Sequence, residues 1–262
     1  MEDYPGSLAQ GAVLFSDSVD WEEHAGAVQV THVDVAKHCE MLDSDKAANR
    51  LAAARAMVIL SSEGQGDTLD VHSCRTEIVA AGGHAALLKF LSTEVNEDLA
   101  VMLTREAATA ALCNLCAQDD SRALVASAGG IPILVALATG WSRGQNLSEE
   151  LMAFACGALG NLARDNQVCQ DEIAAAGGIP ALIALAQAAG IEEVNMGAAG
   201  GAAPVRPRGL GDEDDDTGLE LNASIALRKL AINNSTNYEM MKATMSADDL
   251  KYFLHGQLPS SS

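Results

Sequence analysis

The sequence predicts an all-α fold, an α-solenoid assembled from repeated helical units. The first observation behind this is a phrase that occurs three times, at Ala80–Leu88, Ser127–Val135 and Ala175–Ile183. Its glycine pairs begin at Gly82, Gly129 and Gly177, 47 and 48 residues apart. A fixed period of that size marks helical units that bury their apolar faces only by stacking on their neighbours. The second observation is a longer helical pattern after each copy, with apolar residues at i, i+3/i+4 and i+7. These stretches align as Ala111-Leu112-Cys113-Asn114-Leu115, Ala158-Leu159-Gly160-Asn161-Leu162 and Ala226-Leu227-Arg228-Lys229-Leu230. The third is composition: 48% of residues are apolar but only 3% aromatic, so the core is built of Ala, Leu, Ile and Val. Small side chains let helices approach closely. No strand is predicted.

Taken in chain order, Asp34–Met41 and Asp45–Ser61 read as helices ahead of the first copy. A short helix precedes each glycine pair, as at Ser121–Ala128 and Val168–Ala176. The pair ends it, because glycine takes the left-handed conformation that closes a helix. Pro132 and Pro180 then open a second helix, Ile131–Ala138 and Ile179–Ala188, at a first-turn position where a missing N–H costs nothing. The third helices are Glu106–Ala117, Glu149–Ala163 and Leu219–Ile232, and Asn234–Met245 and Ser246–Gly256 come after them. Two insertions interrupt the pattern, Glu63–Cys74 and Gly190–Gly218. The second contains Pro204-Val205-Arg206-Pro207-Arg208 and the acidic run Asp212–Asp216, a composition that cannot bury a core and reads as disorder. The expected organisation is a loose segment 1–27, a repeat domain 28–256 with a disordered insert 190–218, and a flexible tail 257–262.

Short helix, Gly-Gly-Ile-Pro, helix, loop, then Ala-Leu-x-Asn-Leu-Ala resembles the armadillo repeat, over roughly residues 28 to 255. Units 119–163 and 165–232 match well. Unit 75–117 carries His84-Ala85 where Ile-Pro belongs. The resemblance implies a right-handed solenoid of about three full three-helix repeats with degenerate N- and C-terminal caps. It also implies that the third helices line a concave groove, where an Asn holds the backbone of an extended peptide through its side-chain amide. Asn114 and Asn161 occupy that position, with Lys229 and about Ile59 as the flanking equivalents. Four residues earlier stand Ala110, Gly157 and Ile225, where the nuclear-import adaptors of the family carry Trp; this argues against an import adaptor. Ala107, Phe154 and Asn222, then Gln118, Asp165 and Asn233, share the same face.

Charge and motifs bound the chemistry. A net charge of −20 disfavours nucleic acid and anionic membrane, and favours a basic partner. No signal peptide is read at the N-terminus, and no apolar run is read as approaching the ~18 residues of a membrane span. The six cysteines show no disulfide framework and are expected to be reduced, with Cys113 partly exposed and Cys116 buried. The Cys113–Cys116 pair lacks a second ligand pair for zinc. The acidic run alternates correctly for calcium at Asp212, Asp214 and Asp216, but Thr217 and Ala223 stand where Gly and Glu are needed. No metal and no cofactor are expected, and no acid, base and nucleophile converge. His84 reads as a packed histidine. Trp141 is a candidate contact residue, since Trp is enriched in interface hot spots.

The expected function is a non-enzymatic interaction scaffold, cytoplasmic or nuclear, binding a peptide or helix of a partner protein. Backbone capture by Asn114 and Asn161 would supply most of the affinity, with apolar contacts around Phe154 and Ile225. The alternatives are a constitutive subunit of a larger assembly, cytoskeletal or ciliary for example, and the substrate-recognition part of a ubiquitin ligase complex.

Overall fold

A computed structural model describes residues 35–62, 70–93, 98–140, 147–190 and 218–255. Every regular element among them is a helix, giving an all-α, armadillo-like solenoid repeat fold. The chain divides into two compact units, Met1–Ile133 and Leu134–Ser262.

In the first unit α1 (Val35–Leu42) precedes α2 (Ala47–Ser61), α3 (Val71–Ala80), α4 (Gly83–Leu91), α5 (Leu99–Cys116) and α6 (Asp119–Ser127). The long helices α2 and α5 pack side by side; α1 lies on α2 and α4, and α3 on α2, α4 and α6. Met57, Ile78, Leu87, Leu112 and Leu115 are fully enclosed. Each such side chain contributes about 1.5–3 kcal/mol when taken out of water.

Helix α7 (Gly130–Ala138) crosses the boundary, and the second unit holds α8 (Glu149–Ala163), α9 (Gln167–Ala175), α10 (Gly178–Gly190), α11 (Gly218–Ala231), α12 (Ser235–Thr244) and α13 (Ala247–His255). Here α8 packs along α11, α10 also packs on α11, α9 lies on α8 and α10, and α13 lies on α11 and α12. The α8–α11 contact is close because Gly160 leaves room: a Cβ there would lie 3.2 Å from Ala226 Cα and 3.3 Å from its Cβ.

The repeated phrase forms the same corner three times. Gly82, Gly129 and Gly177 have φ of 78°, 80° and 83°, the left-handed backbone that ends the short helix without a Cβ penalty. The second glycine is needed for a different reason. A Cβ at Gly83 would lie 2.6 Å from Ile78 Cγ2, one at Gly130 2.8 Å from Val125 Cγ1, and one at Gly178 2.5 Å from Ile173 Cγ2. The chain therefore turns tightly over the β-branched residue five positions back. Ile131 and Ile179, 2% and 0% exposed, then anchor the next helix. His84 takes that place in the first corner and is half-buried.

Seven residues before each left-handed glycine stands a long polar side chain: Arg75, Arg122 and Gln170. Arg75 Nε donates to the Ser61 carbonyl at the end of α2, 2.8 Å away. Gln170 Nε2 donates to the carbonyls of Ala163 (3.1 Å), Lys229 (2.9 Å) and Ile232 (3.2 Å), fastening α9 to the last turns of α8 and α11. These carbonyls lie at or just past helix ends, where the helical ladder runs out, and the Ala163 carbonyl also accepts from Asn166 N at 3.4 Å.

Several expectations need correction. Helix α5 begins at Leu99, not Glu106, because Asp98 caps it, accepting from Ala100 N at 2.8 Å. The first insertion ends sooner than Cys74: Asp70 caps α3, accepting from His72 N at 3.2 Å, and Val71–Cys74 are helical. Gly190 closes α10 and Gly218 opens α11, so both edges of the expected insert 190–218 are helix; residues 191–217 lie outside the described residues, as do the segment 1–27 and the tail 257–262. Cys113 is 0% exposed, not partly exposed, because it points into the α5 packing. An apolar run of spanning length does exist: α5 has 18 residues with mean hydropathy 1.2, and 78% of it is buried inside the fold. Its apolar surface is taken up by packing.

Candidate peptide-binding site

In the first unit, α5 places Ala107, Ala110 and Asn114 in register, with Gln118 just past its end; they are 1%, 2%, 5% and 8% exposed. Asn114 Nδ2 donates to Ser61 Oγ at 3.3 Å and to Ser62 Oγ at 3.1 Å. Both hydroxyls in turn donate to carbonyls of the last turn of α2, Ser61 Oγ to Met57 O and Ser62 Oγ to Val58 O, each at 2.7 Å. Gln118 repeats the arrangement against α3. Its Nε2 donates to Thr76 Oγ1 at 3.1 Å, and Thr76 Oγ1 donates to the His72 carbonyl at 2.9 Å. Gln118 Oε1 is enclosed and accepts no hydrogen bond among the described residues.

Two charged residues lie in the same stack of helices. Arg55 on α2 and Glu106 on α5 are 8% and 7% exposed. Burial pulls the Arg55 guanidinium below its ordinary range, and the Glu106 carboxylate opposes that shift. Arg55 is four residues before Ile59, the position that Ala110 and Gly157 hold in the other repeats. Its one signal in the sequence is that alignment through Ile59; nothing in its local sequence marks it out.

In the second unit, α8 places Phe154 (5% exposed) and Asn161 (3% exposed) in register, with Gly157 half-buried between them. Ile225 and Lys229 on α11 are half-buried. Lys229 Nζ donates to Asn161 Oδ1 at 3.2 Å. The Lys that replaces an Asn in the repeat thus reaches back to the Asn of the preceding third helix. Asp165 and Asn233, four residues beyond Asn161 and Lys229, are exposed and have φ of 53° and 55°. Asp and Asn tolerate this backbone better than other side chains.

Ser61, Ser62 and Thr76 carry no signal of their own in the sequence. Each is brought to its amide by packing between segments 42 to 53 residues apart. Trp141 lies outside the described residues. Among the described residues no three or more His, Cys, Asp or Glu side chains gather as a metal site.

No protein-family model matches the chain, and no curated protein matches it. Solved structures do. A designed armadillo repeat protein in complex with the peptide (KR)4 aligns with a TM-score of 0.60 at 17% identity, covering 87% of this chain and 77% of that one. A second designed armadillo repeat protein aligns at 0.59 and 18% identity, covering 86% and 76%. An engineered protein aligns at 0.58 and 22% identity, covering 83% and 74%. The likeness establishes the armadillo-like repeat fold.

Proposed function

We propose that this chain is a non-enzymatic interaction scaffold that takes an extended peptide or helix of a partner protein on its third helices. The observation that carries the reading is the pair of amide positions, Asn114 in the first unit and Asn161 in the second, on helices of a fold shared with a protein that binds (KR)4. An amide carries both donor and acceptor groups suited to a peptide backbone. Phe154, Gly157, Ala110, Ile225 and Lys229 are the neighbouring side chains of the proposed surfaces, and Trp141 is a further candidate contact. The partner is basic, since the net charge of −20 accelerates its encounter and repels nucleic acid and anionic membrane. No resident metal or cofactor enters the reading, and a cytoplasmic or nuclear setting suits six cysteines that form no disulfide.

The test is fluorescence anisotropy with labelled (KR)4, comparing the wild type with Asn114→Ala/Asn161→Ala and checking helicity on both. A tenfold or larger loss of affinity in a folded double variant is expected, following from about 1 kcal/mol per hydrogen bond. Unchanged affinity would remove the third helices from the function.

A second reading is a constitutive subunit of a larger assembly. It is favoured by the apolar side chains the second unit leaves in water, Val168 at 67% and Ile232 at 52% exposed. Concentration-dependent self-association of the purified chain would speak for it.

A further inference from the structure

One contact shows which side of α8 receives α11. A Cβ on Gly160 would lie 3.2 Å from Ala226 Cα, so Gly160 faces α11. Ala153, Gly157 and Arg164 share that side at helical spacing. With Asn161 aligned on Lys229, the same four positions of α11 are Leu221, Ile225, Arg228 and Ile232. On α8 the stripe is covered: Ala153 is 7% exposed and Gly160 is buried. On α11 it is open. Leu221 and Ile232 are 44% and 52% exposed, Ile225 and Arg228 are half-buried, and no further third helix follows among the described residues. The stripe spans about 16 Å of helix, with aliphatic side chains in water where the preceding repeat seats a helix.

Arg228 restricts what can cover it. It stands where Gly160 admits Ala226, so a helix that presses a methyl at this point meets a guanidinium instead. Arg228 Nε donates to the Phe253 carbonyl near the end of α13, 2.7 Å away, which holds the group at the face. A helix closing over it must bring an acceptor for its other N–H groups, because a buried charge without a partner is costly. A second copy of the chain does not bring one. Antiparallel packing of two α11 helices would set their two Arg228 side chains together near the dyad. On α2 the position aligned with Ala226 is Ala56, 0% exposed and so already covered.

We infer that the Leu221, Ile225, Arg228 and Ile232 face of α11 docks an amphipathic helix of a partner protein, apolar against the three aliphatic side chains and carrying an Asp or Glu against Arg228. This surface is separate from the amide positions, and Arg228 is the one charged residue of its four.

The probes are two labelled Ala/Gln-based helical peptides of about 16 residues. One has Leu at i, i+4 and i+11 with Glu at i+7; the other has Leu at i, i+7 and i+11 with Glu at i+4. They match the face in parallel and antiparallel orientation, and each has a counterpart with Lys in place of Glu. Binding to the full chain is read by fluorescence anisotropy at about 0.15 M salt, where long-range attraction is screened. One Glu peptide is expected to bind saturably and its Lys counterpart at least tenfold more weakly. Leu221→Ser/Ile232→Ser should weaken binding about fivefold or more with the Tm unchanged, since both residues are exposed. Arg228→Glu should reverse the preference towards Lys, and Asn161→Ala should change nothing. Should Arg228→Glu lower the Tm through loss of the Phe253 bond, the Glu-to-Lys exchange on the wild type and the Leu221→Ser/Ile232→Ser pair still decide. No saturable binding, equal binding of Glu and Lys peptides, or a loss on Asn161→Ala but not on Leu221→Ser/Ile232→Ser would overturn the inference. Sedimentation of the chain alone is expected to show no dimer that depends on this face. A dimer dissolved by Leu221→Ser/Ile232→Ser would give the face to a second copy and overturn the partner helix.

Discussion

The corner at Gly82-Gly83 and the corner at Gly177-Gly178 share a backbone and differ in what fills it. Their left-handed residues differ by only 5° in φ, 78° against 83°, and each second glycine rides over an Ile five positions back. Their entries into the next helix are unlike. The later corner enters through Ile179, 0% exposed, and Pro180. The earlier one enters through His84, half-buried, whose Nδ1 is enclosed without a hydrogen-bond partner. The shape of the corner therefore resides in the glycine pair, and the anchor beneath it is exchangeable at some cost in stability.

On that basis the largest loss comes from the second glycine, and it strikes both corners alike. Gly83→Ala and Gly178→Ala each place a methyl within 2.6 and 2.5 Å of an Ile Cγ2 and within 2.9 and 2.8 Å of a carbonyl. About 2–3 kcal/mol of destabilisation is expected from such overpacking, read by urea denaturation. A loss at one corner only would break the equivalence. Next comes the first glycine. At Gly177 a Cβ meets nothing within 4 Å, so Gly177→Ala reports the left-handed backbone alone. It costs about 1–2 kcal/mol, and Gly82→Ala should match it.

His84→Ile isolates the difference instead. Replacing the half-buried imidazole with the apolar anchor found at Ile131 and Ile179 is expected to stabilise by about 1 kcal/mol near neutral pH. Burial lowers the His84 pKa from its ordinary value, and a hydrogen bond with the Val79 backbone only partly opposes this. The unfolded chain then binds the proton more readily than the folded one, so the wild type loses stability as pH falls below about 6.5. The gain from His84→Ile should widen from pH 7.5 to pH 5.5; a constant gap would mean that His84 is not the group responsible. The smallest effect is Ala85→Pro, which copies Pro132 and Pro180 into the first turn of α4. It should change stability by no more than about 0.5–1 kcal/mol, in the favourable direction, by restricting the unfolded chain.

These corners were legible in the sequence because all their parts lie within about ten residues of each other. Glycine spacing, the β-branched residue before it and the proline after it are local signals. Helix starts were less legible: Asp98 and Asp70 are good caps, but neither sits next to the repeated phrase, so the repeat alone starts α5 and α3 late. The candidate site was legible only as positions. Alignment placed Asn114 and Asn161 on their helices. It said nothing of the hydroxyls at the end of α2 that hold Asn114, 52 and 53 residues away, or of the ammonium that reaches Asn161 from 68 residues along the chain. Those bonds exist only after helices stack, and they decide which atom of each amide is spent.

The burial of four thiols gives the molecule its own reporters of opening. Cys113 and Cys116 on α5 are 0% exposed, and Cys156 on α8 and Cys169 on α9 are 0% and 3% exposed, so each unit carries two. A maleimide cannot reach any of them until a helix leaves its neighbours, whereas the half-buried Cys39 and Cys74 react earlier. Site-resolved alkylation rates in mild denaturant would thus time the loosening of each half separately, with no label introduced, and would show whether the array comes apart as one cooperative body or one unit at a time.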